Sequence, residues 1–271
     1  MVAYDENGFL GGLIQEWIEA HRKSYGPVFV LAQELNRECH RFLDGRRVDP
    51  KSKLQVTTSV LFARMVELYQ AIVVVIDRGM VTPGRIIFRV FLEAFFHFSA
   101  IHRDSEYLSE YLNQFHVQRK TMVNRIRNST SPHLEELRRP IDINLVAEIQ
   151  QTLDAKGMRK VSIEEVARKA DLHDIYVTVY EVLSRAVHSS ASDLESHLDY
   201  DTQKETIQGF RYGPSSEETA RVVCLAGLAM AEALEQMFSN FGEDRRELCS
   251  KLKSSFQGLL REQTDHAKKG L

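Results

Sequence analysis

The chain has 271 residues, a formal net charge of −3 and a charged fraction of 27%, values typical of an ordinary globular protein. The charge balance excludes a globally basic protein that holds nucleic acid through its whole surface. Any contact with nucleic acid must therefore come from a local basic patch.

Apolar residues recur at spacings of three and four along most of the chain, which predicts an all-α protein. Gly79 ends one predicted helix and Pro83 opens the next. Ser215 and Glu218 have the spacing of a capping box before a long apolar run. The predicted helices cover residues 9–24, 28–43, 54–79, 84–103, 105–128, 142–155, 162–171, 174–188, 216–241 and 244–267.

We expect these helices to form one domain, a multi-helix bundle with a polar cluster between core helices. The N-terminal helices, 1–50, and a C-terminal hairpin, 216–268, are expected to pack on a core of residues 54–200. The polar segment after residue 188 is predicted to be a lid-like loop, in which 207–212 is a candidate short strand.

Several features indicate a cytoplasmic protein with no membrane partner. The first twelve residues lack the pattern of a secretory signal. The most apolar run, Ala71–Ile76, is too short to span a bilayer. The three cysteines, Cys39, Cys224 and Cys249, are far apart and odd in number, which indicates free thiols in a reducing compartment.

Arg89 and Glu93 lie four residues apart in a predicted helix that is otherwise rich in Ile, Val, Leu and Phe. These apolar surroundings predict a buried helix and therefore a buried ion pair. Removing two charges from water is unfavourable unless further polar groups face them. Such a pair is either structural or suited to holding an anionic ligand.

A basic patch follows on the next predicted helix. Residues 111–134 contain no Asp or Glu, which is compatible with a solvated face but also suggests contact with phosphate. The candidate residues for binding an anion or nucleic acid are Arg119, Lys120, Arg125 and Arg127.

Sequence-specific DNA binding and metal binding are not predicted. Residues 161–172 look like the first helix and turn of a helix-turn-helix repressor, but residues 175–183 are too apolar to enter a major groove. The chain has no H-E-x-x-H and no C-x-x-C motif, so we expect no metal and no cofactor.

A second polar stripe, Tyr176, Tyr180, Ser184 and His188, recurs every fourth residue and so lies along one side of a helix. Polar groups on a face that is otherwise buried need partners. We therefore expect this stripe to face the helix that carries Arg89. The two stripes form either a structural polar network or an active site.

The segments Arg89–Glu93 and Tyr180–His188 resemble a bacterial family of uncharacterised all-helical proteins. Its members carry an R-x-x-x-E helix and a later Y-x-x-[LI]-S-x-x-[VY]-H helix, and the likeness covers roughly residues 55–200. The family is loosely similar to HEPN-type helical domains, many of which are metal-independent ribonucleases of toxin–antitoxin and phage-defence systems. HEPN nucleases separate their Arg and His by more residues than lie between Arg185 and His188 here.

The resemblance implies a HEPN-like protein of bacterial stress or phage defence that acts on RNA or a nucleotide, with a homodimer as the candidate assembly. His188 would be the general base, Arg89 or Arg185 would stabilise phosphate charge, Tyr180 would orient the substrate and Glu93 would position Arg89. The candidate site residues are His188, Arg89, Tyr180, Glu93, Ser184 and Arg185. The alternative is a non-enzymatic scaffold that binds partner proteins and uses the polar network only for structure.

The C-terminal segment carries an apolar stripe. We expect this stripe to pack in an antiparallel hairpin with the preceding helix, or against a second copy of the chain. Its residues are Leu248, Leu252, Phe256 and Leu259.

Overall fold

The structure, a computed structural model, describes residues 6–155, 157–187, 191–201 and 204–269, with the backbone alone described at 143, 192 and 263–269. It is an all-α multi-helix bundle, as predicted, and the described part of the chain also contains a short β-hairpin. The longer helices are α1 (Ile14–Leu43), α2 (Lys53–Asp77), α3 (Val81–Arg103), α4 (Ser105–Asn128), α6 (Ile143–Ala155), α11 (Thr219–Asn240) and α12 (Arg246–Lys269). The shorter ones are α5 (Glu135–Arg138), α7 (Ile163–Lys169), α8 (His173–Ile175), α9 (Glu181–Val187) and α10 (Ala191–Leu194).

One large apolar core joins α1, α2, α3, α7, α9, α11 and α12. Helices α2 and α3 pack along each other, and α11 contacts both. The core is rich in phenylalanine, and each large side chain removed from water contributes roughly 1.5–3 kcal/mol. A separate small cluster of Val123, Ile149 and Leu153 joins α4 to α6. Helix α6 therefore packs on α4 through a small apolar contact of its own.

The predicted break between the first two helices appears as a kink. Helix α1 runs from Ile14 to Leu43, but Tyr25 has non-helical dihedral angles and Pro27 lies inside the helix. A proline removes a backbone donor and clashes with the preceding turn. The two predicted segments, 9–24 and 28–43, therefore meet at this point without an intervening loop.

The predicted capping box before α11 is wrong. Glu218 precedes the helix in a left-handed conformation, with no capping hydrogen bond from a side chain. The hydroxyl of Ser215 instead accepts the backbone N–H of Glu217, 3.1 Å away, in a local turn. A capping box does occur at the start of α7, where Ser162 and Glu165 bond each other's backbone N–H groups.

The polar segment after residue 188 contains an antiparallel hairpin rather than an irregular loop. Strand β1 (Leu198–Asp201) pairs with β2 (Thr206–Phe210), with Leu198 opposite Phe210 and Asp201 opposite Thr206. The candidate strand at 207–212 overlaps β2. Before the hairpin, the buried carboxylate of Asp193 lies 3.0 Å from a guanidinium nitrogen of Arg85 on α3, and this ion pair ties α10 to the bundle.

The predicted hairpin of α11 and α12 is present. Leu252 and Phe256 are buried against the core, while Leu248 and Leu259 pack at its edge. Gly227 on α11 makes room for the ring of Phe256, since an added Cβ would lie 2.4 Å from it. The apolar stripe of α12 is therefore covered within one chain.

Helices α2 and α11 are long and apolar enough to cross a membrane when judged by length and composition alone. This is weak evidence, because a core helix of a soluble protein passes the same test. The most apolar window is 72% buried in α11 and 39% buried in α2.

Candidate functional site

A turn of π-helix shapes the predicted tyrosine stripe. Residues Tyr176–Tyr180 form it between α8 and α9, and the backbone N–H of Glu181 donates to the carbonyl oxygen of Tyr176. The rings of Tyr176 and Tyr180 stack with centroids 5.1 Å apart. Such turns are rare and occur often at functional sites, because they change the direction in which side chains leave a helix.

The two predicted polar stripes meet through four residues, Arg89, Glu93, Tyr180 and Ser184, which we call the Arg89 cluster. The Nε of Arg89 donates to the hydroxyl of Ser184 at 3.0 Å, and its Nη1 lies 2.9 Å from Oε1 of Glu93. The hydroxyl of Tyr180 donates to the same Oε1 at 2.7 Å. The guanidinium carbon lies 4.8 Å from the centre of the Tyr180 ring. The predicted contact between the Arg89 helix and the Tyr180 helix is confirmed.

The ion pair of the cluster is not fully buried, so the prediction of a buried pair is wrong. The side chain of Arg89 is 17% exposed and that of Glu93 is 31% exposed. Helix α3 turns its phenylalanines toward the core, whereas Arg89 and Glu93 lie on a side that α9 covers only in part. Among the described residues no hydrogen bond reaches Nη2 of Arg89, so this nitrogen is free to meet a ligand.

Both stacked tyrosines hold their protons at neutral pH. Burial raises the pKa of Tyr180 well above its ordinary value, and the hydrogen bond to Glu93 and the nearby carboxylate charge add to the effect. The pKa of Tyr176 is raised to about 12, mainly by a hydrogen bond to Glu181. Tyr180 therefore acts as a hydrogen-bond donor in the cluster rather than as a base.

His97 follows Arg89 and Glu93 on the same face of α3, but it takes a different partner. Its Nδ1 lies 2.8 Å from the hydroxyl of Tyr107 on α4, and its ring packs against Tyr111. Burial lowers the pKa of His97, which favours the neutral imidazole. The polar face of α3 is thus shared between α9 and α4.

Two predicted site residues are not placed in the Arg89 cluster. Arg185 is exposed on α9, and the structure shows no bond from it to the four cluster residues. His188 lies outside the described residues. Within the part of the chain that is described, Arg89 is therefore the candidate arginine that the fold brings to this site.

Two of the four residues of the predicted basic patch line one cavity, and the other two do not. Lys120 and Arg125 line a cavity of about 730 Å³ beside α4 and α6, whereas Arg119 and Arg127 do not line it. Arg159 and Lys160 also line this cavity, and the sequence analysis missed them. They lie far from α4 in sequence. The sequence feature that could have indicated them is that they are two adjacent basic residues, shortly before α7.

Within the described ranges, no group of three or more His, Cys, Asp or Glu side chains is arranged to hold a metal ion.

Comparison with known proteins gives a family match. The profile of DUF5677, a family of unknown function, matches residues 55–206, which is more than half of the chain. The matched segment runs from α2 to the first residue of β2 and contains the whole Arg89 cluster. No curated protein matches the chain, and no solved structure matches it.

Proposed function

The chain belongs to the DUF5677 family, and we propose that it is a HEPN-like protein of bacterial stress or phage defence that acts on RNA or a nucleotide at the Arg89 cluster. In this proposal it is a metal-independent ribonuclease of the cytoplasm. The observation that carries it is the half-buried guanidinium of Arg89, which Glu93 and Ser184 fix in place while Nη2 keeps no partner among the described residues.

A guanidinium held in this way is suited to phosphate. Its planar N–H groups match the spacing of phosphate oxygens, and a donor that is already oriented does not need to reorganise when charge develops. Oε1 of Glu93 orients Arg89 through Nη1, and the hydroxyl of Tyr180 donates to the same oxygen and holds it in place. The cluster therefore supports binding of an anionic group whose charge rises during a reaction.

The proposed reaction uses the 2′-hydroxyl of RNA as the nucleophile. His188 takes the proton from this hydroxyl, and the 2′-oxygen forms a bond to the adjacent phosphorus while the bond from phosphorus to the 5′-oxygen breaks. The leaving 5′-oxygen takes a proton from water, which leaves a 2′,3′-cyclic phosphate and a 5′-hydroxyl. Arg89 stabilises the charge on the phosphate oxygens during this exchange.

The assignment to defence rests on the resemblance of the motifs at Arg89–Glu93 and Tyr180–His188 to an uncharacterised, loosely HEPN-like family. A homodimer is part of the proposal, because HEPN nucleases usually pair their catalytic residues across two chains.

Incubation of the purified protein with total RNA tests the proposal. We expect His188→Ala to abolish cleavage and Arg89→Ala to lower its rate roughly 100-fold or more, the usual effect of removing a donor that stabilises developing charge. His133→Ala and Arg78→Ala are the matched controls, since both residues are exposed and neither contacts the cluster among the described residues. Cleavage that is equal in all four variants, all folded by circular dichroism, would overturn the proposal.

A scaffold role is the second candidate, and one observation favours it. Glu93 and Ser184 each bond another member of the cluster, so much of the network is satisfied without a ligand. A scaffold predicts that the double variant Arg89→Met with Glu93→Leu folds as stably as the wild type and that neither protein binds RNA. If the wild type binds RNA and the double variant does not, the scaffold role is excluded.

A further inference from the structure

The cavity beside α4 and α6 lies apart from the Arg89 cluster and shares no residue with it. Its volume of about 730 Å³ falls within the usual range of small-ligand sites, roughly 300–1,000 Å³. The small apolar contact between α4 and α6 forms one side of it, through Leu153. Gln114 on α4 donates to the backbone oxygen of Arg159 at 2.9 Å and so holds the 159–160 segment against α4.

The lining of this cavity carries one sign of charge. Lys120, Arg125, Arg159 and Lys160 contribute four basic side chains, and no Asp or Glu occurs among the described residues that line it. Arg159 also pairs with Glu165 outside the cavity, at 2.8 Å. The structure shows no ion pair for the other three within the described ranges, so their charges are available to attract an anion.

The remaining lining residues match the uncharged part of a nucleotide. Asn124 offers an amide donor and acceptor of the kind that hydrogen-bond to base edges, and Gln150, whose amide nitrogen already donates to Asp154 at 2.6 Å, offers its carbonyl oxygen. Val117 and Met158, both half-buried, offer an apolar surface against which a base can lie. A nucleoside phosphate combines a negatively charged phosphate with a flat, polar base, and these are the two kinds of group that the lining can contact.

We propose that this cavity is a binding site for a nucleoside phosphate, either a free nucleotide or one nucleotide within an RNA strand. Lys120, Arg125 and Lys160 contact the phosphate, and Asn124 and Gln150 contact the base. The site does not depend on the proposed cleavage at the Arg89 cluster, because the two sites have no residue in common.

Helical geometry provides a matched control for the test. Successive residues of a helix are about 100° apart, so Arg119, two residues from both Val117 and Thr121 of the lining, faces away from the cavity. Lys120→Glu and Arg119→Glu therefore make the same change of charge at neighbouring positions, one inside the cavity and one outside. Lys160→Glu, on an exposed connection, is a second variant that does not alter α4.

Binding is measured by calorimetry with GMP and inorganic phosphate, and by fluorescence anisotropy with a labelled 2′-O-methyl oligoribonucleotide that 2′-hydroxyl chemistry cannot cleave. We expect Lys120→Glu and Lys160→Glu to weaken binding about tenfold or more and Arg119→Glu to change it less than about twofold. GMP binding identifies a free nucleotide as the ligand, and binding of the oligoribonucleotide alone identifies an RNA strand. The proposal is overturned if no probe binds, if inorganic phosphate binds as tightly as whichever of GMP and the oligoribonucleotide binds, or if all three variants lose affinity equally.

Discussion

Arg89 has three kinds of partner: the carboxylate of Glu93 one turn along its own helix, the hydroxyl of Ser184 on α9, and the face of the Tyr180 ring. Its planar guanidinium can meet all three at once, whereas the compact ammonium of a lysine cannot. The identity of this side chain therefore matters more than its charge. We expect Arg89→Lys to preserve the net charge of the site and still lose most of its contacts with Glu93 and Ser184.

The bond between Tyr180 and Glu93 should be measurable as a coupling. Its donor–acceptor distance is 2.7 Å, and the acceptor is a carboxylate. Tyr180→Phe should lower the free energy of unfolding by about 0.5–1.5 kcal/mol, a modest loss because Glu93 is partly exposed to water. In a double-mutant cycle with Glu93→Gln, followed by urea unfolding, the losses should not be additive. Tyr200→Phe, on the exposed hairpin, is the control, and strict additivity would mean that the bond adds nothing to stability.

Two histidines, the buried His21 and the half-buried His97, should make the protein less stable in mild acid. His21 is 4% exposed, with its Nδ1–H donating to the carbonyl of Asp77 and its Nε2 accepting from Thr219. Burial lowers the pKa of His21, and likewise of His97, from the ordinary value of 6.5. Below pH 6.5 the unfolded chain therefore binds more protons than the folded chain. Stability is complete above that pH and declines as the pH falls toward the lowered pKa values.

Urea unfolding at several pH values checks this prediction. The urea concentration at the unfolding midpoint should decrease as the pH is lowered from about 7 to about 5. This decrease should be smaller in His21→Gln, because glutamine cannot take up a proton. A midpoint that does not change over this range would show that folding leaves both histidines with their ordinary pKa.

The sequence predicted which residues form the Arg89 cluster, but it did not predict how exposed they are. The spacing of Arg89, Glu93, Tyr180 and Ser184 predicted their meeting, because two polar stripes in apolar helices need each other as partners. The exposure of the ion pair could not be predicted in this way. It depends on how much of α3 is covered by α9, and a short helix that follows a π-turn covers less than the periodicity of the sequence suggests.

Gly227 and Phe256 determine how closely α11 and α12 approach each other. A Cβ on Gly227 would lie 2.4 Å from the Phe256 ring, which is fully buried. Gly227→Ala should destabilise the protein by about 1–3 kcal/mol through overpacking, and Phe256→Ala by about 3–5 kcal/mol through the cavity that it leaves. In Gly227→Ala with Phe256→Leu, thermal melts should show part of the first loss restored. Gly258→Ala is the control, since nothing lies near an added Cβ there, and equal effects of Gly227→Ala and Gly258→Ala would contradict this packing.

Helix α10 should depend on a single ion pair for its attachment. Asp193 is buried, and its carboxylate meets Arg85, whose side chain is 16% exposed. Among the described residues, Asp193→Ala leaves the charge of Arg85 with the more distant Glu218, 3.6 Å away, as its remaining ion-pair partner. The segment that precedes the hairpin should therefore open more often. Hydrogen exchange should become faster at Leu194 and in β1 while α2 stays protected. Asp199→Ala, an exposed carboxylate on β1, is the control, and unchanged exchange in Asp193→Ala would show that the ion pair does not hold the segment.

The helices were predicted closely because apolar periodicity and glycine or proline boundaries are local signals. The features that were missed are set by tertiary contacts. The turn at Ser215 is tied to Gly79, whose backbone oxygen accepts the N–H of Ser215 at 3.0 Å. In this turn the hydroxyl of Ser215 accepts the N–H of Glu217, whereas a capping box would need that of Glu218. The β1–β2 hairpin and the contribution of Arg159 to the cavity likewise depend on neighbours that are distant in sequence.

The two proposed sites involve two consecutive helices of the bundle, α3 and α4. Helix α3 carries the Arg89 cluster, and α4, which begins at Ser105 directly after Asp104, carries one wall of the basic cavity. The bond between His97 and Tyr107 joins the two helices near their connection. A strand of RNA held in the cavity would therefore be held by the helix next to the one that carries Arg89.

Cleavage of a labelled oligoribonucleotide in the presence of EDTA, beside the same sequence with 2′-O-methyl groups, tests the proposed ribonuclease most directly. We expect the RNA to be cut without a metal ion, its product to carry a 2′,3′-cyclic phosphate by mass spectrometry, and the 2′-O-methyl strand to stay intact. Arg89→Ala and His188→Ala should both lose this activity. Cleavage of both strands, or cleavage that EDTA abolishes, would exclude a metal-independent ribonuclease that uses the 2′-hydroxyl.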